Sequence, residues 1–257
     1  MIKPLTVVAL IAAIVVGLTG CAKEKEAVGY GMPVDGVLVN GEGTWGLTAT
    51  GVPIKGLVVY FHGSDQDAHV IQTERKHTDL FDPLLRAGYA VVAADAGGNA
   101  FGNPASQDAY RGLIAAAQKK YIAGPMFFVA ESMGALAALA LIRDDTAHQV
   151  KGMVGVSPLM GMPLEIRKVS YVEGPWGGVV PESADPLSWP PNVFAGRSFR
   201  LYASSTDDTI PGSASAGAFA DRFRSVAAIT LVDCKGGHVA TKCYQGTEVL
   251  DWIAGLG

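Results

Sequence analysis

Short apolar runs alternate with amphipathic stretches along most of the chain. Apolar, β-branched and aromatic residues form runs that predict buried strands at 54–61, 89–94, 127–130, 150–156, 198–204 and 228–232. Helical periodicity between them predicts helices at 79–87, 107–120, 135–142, 213–223 and 246–254. Residues 43–50 alternate weakly and predict an early edge strand. This alternation is typical of an α/β fold, so we expect a mostly parallel central sheet with helices on both faces.

The alternation stops between residues 159 and 197, where prolines and aromatic residues are frequent. Tyr171, Trp176 and Trp189 lie in this stretch together with several prolines. We interpret residues 159–183 as a short lid-like insertion or pocket wall, whose apolar side chains would favour an apolar acyl group. The alternative is a loop that packs on the core.

The N-terminus has the pattern of a targeting segment. Lys3 is followed by an apolar stretch at residues 5–18, which is too short for a typical membrane span. The stretch ends in the sequence LTGC at residues 18–21, which resembles a bacterial lipobox. The resemblance implies cleavage before Cys21 and attachment of lipid to that residue. An ordinary signal peptide or an uncleaved anchor with a chance cysteine is the alternative.

These features divide the chain into a lipoprotein signal peptide at 1–20, a lipid-anchored polar tether at 21–39 and a folded domain at 40–257. We therefore expect an exported protein that is held at the cell membrane or outer membrane by lipid on Cys21. Two further cysteines, Cys234 and Cys243, lie close together in sequence, which suggests a disulfide in an exported protein. Two reduced buried thiols are the alternative.

Composition and charge narrow the class of protein. The chain has 257 residues, 49% of them hydrophobic and 17% charged, which fits one sizeable domain with a buried core. The formal net charge is −4 and no basic patch stands out, so a nucleic-acid partner is not expected. No motif for a nicotinamide or flavin is present, and we expect no cofactor.

Two polar stretches after the strand at 54–61 are assigned to the surface. Asp65, Asp67 and His69 alternate as metal ligands sometimes do, but no second cluster completes such a site, so we expect a solvated loop and no metal ion. The charged residues 74–76 and the adjacent His77 are interpreted as exposed surface before a helix.

The candidate chemistry is centred on residues 126–141, MFFVAESMGALAALAL. A buried strand ends at ESMG, residues 131–134, and a helix of small residues follows directly. Strand, tight turn and helix with Ser132 at the corner form a nucleophile elbow, whose pattern is G-x-S-x-G. Ala130 replaces the first glycine and is the next smallest residue. On these residues the chain resembles the α/β-hydrolase family. The alternative is an ordinary strand-to-helix turn in another α/β protein.

The resemblance also implies an oxyanion hole. The dipeptide His62-Gly63 directly follows the strand at 54–61, where the family's oxyanion loop begins. The residue after this dipeptide would supply one backbone N–H, and the residue after the nucleophile would supply the other. The resemblance therefore assigns the two donors to Ser64 and Met133.

A catalytic triad is implied in the same way. Asp207, which follows the strand at 198–204, corresponds best to the family's triad acid, and Asp208 is the fallback. His238 lies in a glycine-rich loop after the last predicted strand, where the family has its catalytic histidine. The order Ser132, Asp207, His238 is the order of the family.

The resemblance covers residues 40–257 and implies a serine hydrolase that cleaves carboxylic esters through an acyl-enzyme intermediate. The expected partners are a small-molecule or lipid-like ester substrate and the membrane that carries the lipid on Cys21. Peptidase or thioesterase activity is an alternative, because the triad does not choose the leaving group. A catalytically inactive binding or scaffold lipoprotein of the same fold is a further alternative.

Overall fold

An eight-stranded sheet organises the computed structural model, which describes residues 32–121 and 124–256. The strands are β1 Val34–Val37, β2 Thr44–Ala49, β3 Gly56–Phe61, β4 Tyr89–Ala94, β5 Met126–Glu131, β6 Val150–Val156, β7 Ser198–Ala203 and β8 Ala228–Asp233. Their order in the sheet is β1-β2-β4-β3-β5-β6-β7-β8. The β1–β2 and β2–β4 pairs are antiparallel, and every other pair is parallel. The predicted mostly parallel sheet is confirmed.

Helices cover both faces of the sheet, as predicted. They are α1 Val70–Thr73, α2 Arg75–Arg86, α3 Pro104–Tyr121, α4 Gly134–Asp144, α5 Leu164–Arg167, α6 Ser170–Glu173, α7 Ala218–Phe223 and α8 Gly246–Ala254. One core lies against α3, α4 and α7 and contains Phe61, and the other lies against α2 and α8 and contains Tyr60. These neighbours enter different cores because successive strand residues point to opposite faces. Within the described residues, no helix has the length and apolarity needed to cross a membrane.

The first two strands correct two expectations from the sequence. β1 lies within residues 21–39, which we assigned to the tether, and it pairs with β2 along its whole length. The folded domain therefore begins before residue 40, and β2 is not an edge strand. Asp35 and Gly36 disfavour strand structure, so β1 depends on its pairing with β2 and has little local signal. The predicted signal peptide and Cys21 lie outside the described residues.

Helix α2 begins at Arg75, four residues before the predicted start. The interpretation of His77 as an exposed residue is wrong, because its side chain is completely buried. Helical spacing places His77 on the same face as Phe81 and Leu84, and this face packs against the sheet. The charged neighbours of His77 hid this spacing in the sequence.

The segment after β6 contains α5, α6 and several 3₁₀ turns between residues 164 and 194. Val172 and Val180 from this segment pack with Met133 and Leu136 at the start of α4. The predicted insertion at 159–183 therefore covers the helix that follows the candidate nucleophile. This position matches the pocket wall that was one interpretation of its sequence.

Candidate active site

Ser132 lies at a sharp turn between β5 and α4. Its backbone φ is +49°, in the left-handed region that non-glycine residues seldom adopt. The turn brings α4 close to β3, and a Cβ at Gly134 would collide with the carbonyl oxygen of Phe61. Glycine is therefore required at 134, whereas the buried Ala130 fits where the sequence pattern has its first glycine. The structure builds the strand, turn and helix of an elbow at this serine.

Three side chains from three loops form a hydrogen-bonded relay. The Nε2 atom of His238 lies 2.9 Å from Oγ of Ser132, and its Nδ1 atom lies 2.8 Å from Oδ2 of Asp207. The side chain of Asp207 is fully buried, while that of His238 is 20% exposed. The structure therefore brings the three predicted triad residues together, with the imidazole towards the opening and the carboxylate shielded from water.

The loop after β7 presents Asp207 rather than Asp208 to the histidine. The Oδ1 atom of Asp207 accepts hydrogen bonds from the N–H groups of Thr209 and Ile210, both at 2.9 Å. These bonds leave Oδ2 of Asp207 for the imidazole. Asp208 is exposed on the same turn. The backbone of the loop thus fixes which of the two carboxylates faces His238.

The histidine loop, residues 234–243, is tied to the rest of the site. The hydroxyl groups of Ser204 and Thr206 donate to the carbonyl of Gly236 at 2.6 Å and 2.9 Å. On the other side of the histidine, the N–H of Val239 donates to Oγ of Ser157 at 3.1 Å. Both flanks of His238 are therefore held to the ends of β6 and β7.

A disulfide closes the histidine loop. Cys234 and Cys243 are bonded, as the sequence predicted. In the chain-entropy model, a cross-link that closes a loop of this size stabilises the folded state by about 2–3 kcal/mol. The bond joins the residue after β8 to the 3₁₀ turn before α8, so it restrains the segment that carries His238.

Ser64 and Met133, the predicted oxyanion donors, line the same cavity as Ser132. Among the hydrogen bonds of the described residues, none uses the backbone N–H of Ser64 or of Met133. Both groups therefore remain available to a substrate oxygen. Ser64 belongs to the oxyanion loop, which we define as residues 62–66.

The two ring nitrogens of His62 each face a backbone carbonyl oxygen, and a neutral ring donates a hydrogen bond from one of them. The nitrogens lie 2.7 Å from the carbonyl oxygen of Gly63 and 2.8 Å from that of Asp95. Asp95 also accepts the N–H of Ala68 through Oδ1 at 2.7 Å. Asp95 and His62 thus have structural roles here, because their polar groups face each other and the backbone of residues 63–68.

The relay opens into a cavity of about 630 Å³. Its apolar lining comes from the residues before α3, the segment after β6 and the loop after β7 that carries Asp207, which we call the acid loop. These apolar residues include Phe101, Leu159, Ile166, Val169, Val172 and Ile210. Its polar lining includes Gln66 and Lys76 together with three acidic residues, Asp65, Glu74 and Glu131. A ligand in this cavity would therefore meet both an apolar wall and a polar wall beside Ser132.

A buried polar cluster that the sequence did not reveal lies next to the relay. The carboxylate of Glu131, the residue before Ser132, accepts hydrogen bonds from four side chains of separate segments. The donors are Tyr60 Oη at 2.9 Å, His77 Nε2 at 2.8 Å, Tyr244 Oη at 2.6 Å and Gln66 Nε2 at 2.6 Å. The donors lie between 54 and 113 residues from Glu131 in the chain, so no local spacing reveals them. One signal was present, namely an acidic residue at the end of an apolar strand.

Glu131 and His77 favour the charged forms of each other. Burial opposes ionisation of Glu131, but the hydrogen bond and charge of His77, with Lys76 and Tyr244, lower its pKa from 4.5 to about 2. Burial also opposes the charge on His77, yet the carboxylates of Glu131 and Glu74 raise its pKa above 6.5. Lys76 Nζ lies 4.0 Å from Glu131 Oε1. The carboxylate of Glu131 is therefore an ionised hydrogen-bond acceptor at neutral pH.

A known family covers most of the described fold. The model of a family described as serine aminopeptidase, S33, matches residues 52–224. The chain belongs to this family. The matched residues of this serine aminopeptidase family member include the oxyanion loop, the elbow and Asp207, and they end before His238. No curated protein sequence matches the chain.

Solved structures similar to this serine aminopeptidase family member include esterases and a peptidase. Est1E from Butyrivibrio proteoclasticus has a TM-score of 0.63 at 14% identity, over 85% of this chain and 99% of its own. A truncated carbohydrate esterase from gut microbiota has a TM-score of 0.64 at 12% identity, over 91% and 98%. Oligopeptidase B from Leishmania major has a TM-score of 0.59 at 14% identity, over 85% and 36%. The α/β-hydrolase fold is confirmed, and the chain is a member of a hydrolase family.

Proposed function

We propose that this family member is a serine hydrolase that cleaves carboxylic esters of small molecules through an acyl-enzyme intermediate. One observation carries the proposal: the hydroxyl of Ser132, on its left-handed turn, is hydrogen-bonded to the His238–Asp207 pair at a cavity. This arrangement is the one that activates a serine for attack on a carbonyl carbon. The esterases among the structural relatives support the same reaction class.

In the proposed acylation, Oγ of Ser132 attacks the ester carbonyl while Nε2 of His238 takes its proton. The buried carboxylate of Asp207 stabilises the imidazolium that forms. The N–H groups of Ser64 and Met133 bind the negative oxygen of the tetrahedral intermediate. His238 then gives its proton to the leaving alcohol, and the acyl group remains on Ser132.

In the proposed deacylation, water takes the place of the departed alcohol. His238 accepts a proton from this water as its oxygen attacks the acyl carbon, and a second tetrahedral intermediate uses the same N–H donors. Collapse of the intermediate returns the proton to Oγ of Ser132. The carboxylic acid leaves, and the relay regains its starting state.

The acidic residues of the cavity favour an ester over a peptide with a free amino terminus. An aminopeptidase needs an acceptor for the substrate ammonium group, but two of the three acidic side chains that line the cavity among the described residues, Glu74 and Glu131, are already paired with Lys76 or His77. Asp65 accepts from Asn99, Glu74 lies 3.7 Å from Lys76, and Glu131 is held by its four donors. The apolar wall of the cavity would suit an acyl chain.

A matched pair of substrate series tests this proposal. The purified full chain would be assayed with p-nitrophenyl esters from acetate to decanoate and with p-nitroanilides of amino acids. We expect hydrolysis of the esters with a kcat/KM at least about 10²-fold above that of any anilide, because the apolar wall suits an acyl chain and two of the three cavity carboxylates are already paired. A higher kcat/KM for an anilide would establish the peptidase alternative. A folded protein that hydrolyses neither series would favour the scaffold alternative.

We also propose that the chain is exported and anchored at the envelope by lipid on Cys21. The lipobox-like sequence at 18–21 and the disulfide support this, because disulfides persist in oxidising compartments. Replacing Cys21 by serine should move the protein from the membrane fraction to the soluble fraction and remove labelling by a fatty-acid probe. A Cys21→Ser variant that sediments with membranes like the natural chain would contradict the anchor.

A further inference from the structure

The carboxylate of Glu131 lies where three parts of the site meet. Glu131 directly precedes Ser132 in the chain. Its Oε2 atom binds the hydroxyl of Tyr244, the residue that directly follows Cys243 of the disulfide. Its Oε1 atom binds Gln66 of the oxyanion loop at 2.6 Å. The proposed reaction uses none of these side chains. The steps derived above therefore leave this buried, ionised carboxylate and its four donors without a role.

We propose that Glu131 is a positioning residue that orients the oxyanion donor Ser64 through Gln66. This inference rests on the proposed function, since it assigns Glu131 and Gln66 to the same site. It adds to the site two residues that the proposed proton transfers do not use. Three contacts in sequence lead from the carboxylate to the Ser64 N–H.

The first contact fixes which way the amide of Gln66 points. An ionised carboxylate only accepts hydrogen bonds, so the Gln66 group that faces Glu131 must be the NH₂ group. The carbonyl oxygen Oε1 of Gln66 then faces the backbone of Gly63 and also lies 3.1 Å from Oη of Tyr60. It accepts the backbone N–H of Gly63 at 2.9 Å. The charge on Glu131 thus determines that an acceptor is presented to Gly63.

The second and third contacts fix the two peptide units around Gly63. Gln66 holds the N–H of Gly63, and the ring of His62 holds its carbonyl oxygen at 2.7 Å. This carbonyl and the N–H of Ser64 belong to the same planar peptide unit and point in opposite directions. Because glycine has the greatest backbone freedom, both bonds are needed to keep the Ser64 N–H aimed at the cavity.

Close packing of Glu131 against the oxyanion loop supports this series of contacts. A Cβ placed on Gly63 would lie 2.6 Å from Oε1 of Glu131, so the carboxylate lies directly against the loop. Gln66, Glu131 and Ser64 all line the cavity that contains Ser132. The imidazole of His62 also links the loop to the strand β4 side of the site, since its Nε2 atom lies 2.8 Å from the carbonyl oxygen of Asp95. The oxyanion loop is therefore fixed from two sides.

Exchanging the two polar groups tests the inference. Glu131→Gln should lower kcat for a p-nitrophenyl ester about 10²-fold with KM within about threefold, as for loss of one oxyanion donor. Three donors point at Oε2 of residue 131, so the oxygen of the new amide stays there and its NH₂ group faces the NH₂ group of Gln66. The amide of Gln66 would then turn and present a donor to the N–H of Gly63. The double variant Glu131→Gln with Gln66→Glu restores a donor–acceptor match. We expect it to recover at least about tenfold of the lost kcat.

A matched control separates positioning from general loss of stability. Asp145→Asn weakens another buried ion pair, in which Oδ2 of Asp145 lies 3.0 Å from Arg197 Nη1 at the far end of α4. Glu131→Gln and Asp145→Asn should both lower the free energy of unfolding, but only Glu131→Gln should lower kcat. A kcat of Glu131→Gln within threefold of the natural chain would overturn the inference, as would a double variant no faster than the single one.

Two further measurements keep the test independent of folding and of turnover. Gln66→Ala removes the same acceptor from a half-buried position, so it replaces Glu131→Gln if that variant does not fold, and the same fall in kcat is expected. Amide hydrogen exchange at Gly63 needs no turnover and should be faster in Glu131→Gln or Gln66→Ala than in the natural chain. Unchanged exchange would overturn the positioning role, whereas absence of ester turnover in the natural chain would count against the proposed function alone.

Discussion

Replacing Ser132 by alanine is expected to abolish ester hydrolysis, with kcat falling by about 10⁶-fold, the size of loss seen when an activated serine is removed. The hydroxyl of Ser132 is the atom bound by Nε2 of His238, so no other oxygen takes its place in the relay. The variant should fold like the natural chain, because alanine removes one atom and the loop bonds do not use Oγ. Initial rates with p-nitrophenyl butyrate measure the loss.

Covalent labelling identifies the nucleophile in the same experiment. A fluorophosphonate probe should label the natural chain at Ser132 and leave Ser132→Ala unlabelled. Ser205→Ala is the matched control, since Ser205 is exposed on the acid loop and should be dispensable for labelling. Labelling of Ser132→Ala at the natural rate would show that another residue is the nucleophile, and the proposed mechanism would be rejected.

Replacing Asp207 by asparagine is expected to lower kcat by about 10⁴-fold, as when a triad histidine is held in the wrong tautomer. Thr209 and Ile210 donate two N–H groups to Oδ1, so the asparagine must place its carbonyl oxygen there. Its NH₂ group then faces Nδ1 of His238 at the position of Oδ2. Nδ1 would have to accept, the proton would move to Nε2, and the imidazole could no longer take the serine proton.

The neighbouring aspartate supplies the control for this variant. Asp208→Asn makes the same chemical change one residue away, on an exposed side chain, and should leave kcat within about threefold because it has no contact with the imidazole. Steady-state kinetics of both variants with one ester decide between them. If Asp208→Asn suffered the larger loss, the assignment of Asp207 as the acid would be wrong.

Local sequence patterns were enough for most of the fold. The apolar runs of β3 to β8 and the small-residue helix α4 have propensities that agree with their final structures, so their existence and order could be predicted. β1 could not, because a four-residue strand with aspartate and glycine forms only through pairing with β2. His77 was misassigned because three charged residues precede it, although its spacing to Phe81 and Leu84 is that of a buried helix face.

The residues of the candidate site could likewise be predicted only in part. Ser132 and His238 stand out locally, as a serine in a tight turn and a histidine in a glycine-rich loop. The choice between Asp207 and Asp208 depends on the direction of a loop, which only the hydrogen bonds from Thr209 and Ile210 define. The partners of Glu131 come from four separate segments, so their relation exists only in the folded protein.

The position of each relay residue in the sheet has a consequence for how the site can fail. Ser132 follows the central strand β5, whereas Asp207 follows β7, the last strand but one, and His238 follows β8, the edge strand. Edge elements open locally at a lower free energy than central ones. Such an opening would separate the acid and base from the serine while the central strands stay paired. The time for which the relay stays assembled then depends on how often β7, β8 and their loops open. The Cys234–Cys243 bond lies at the end of β8, where it limits fraying of that edge.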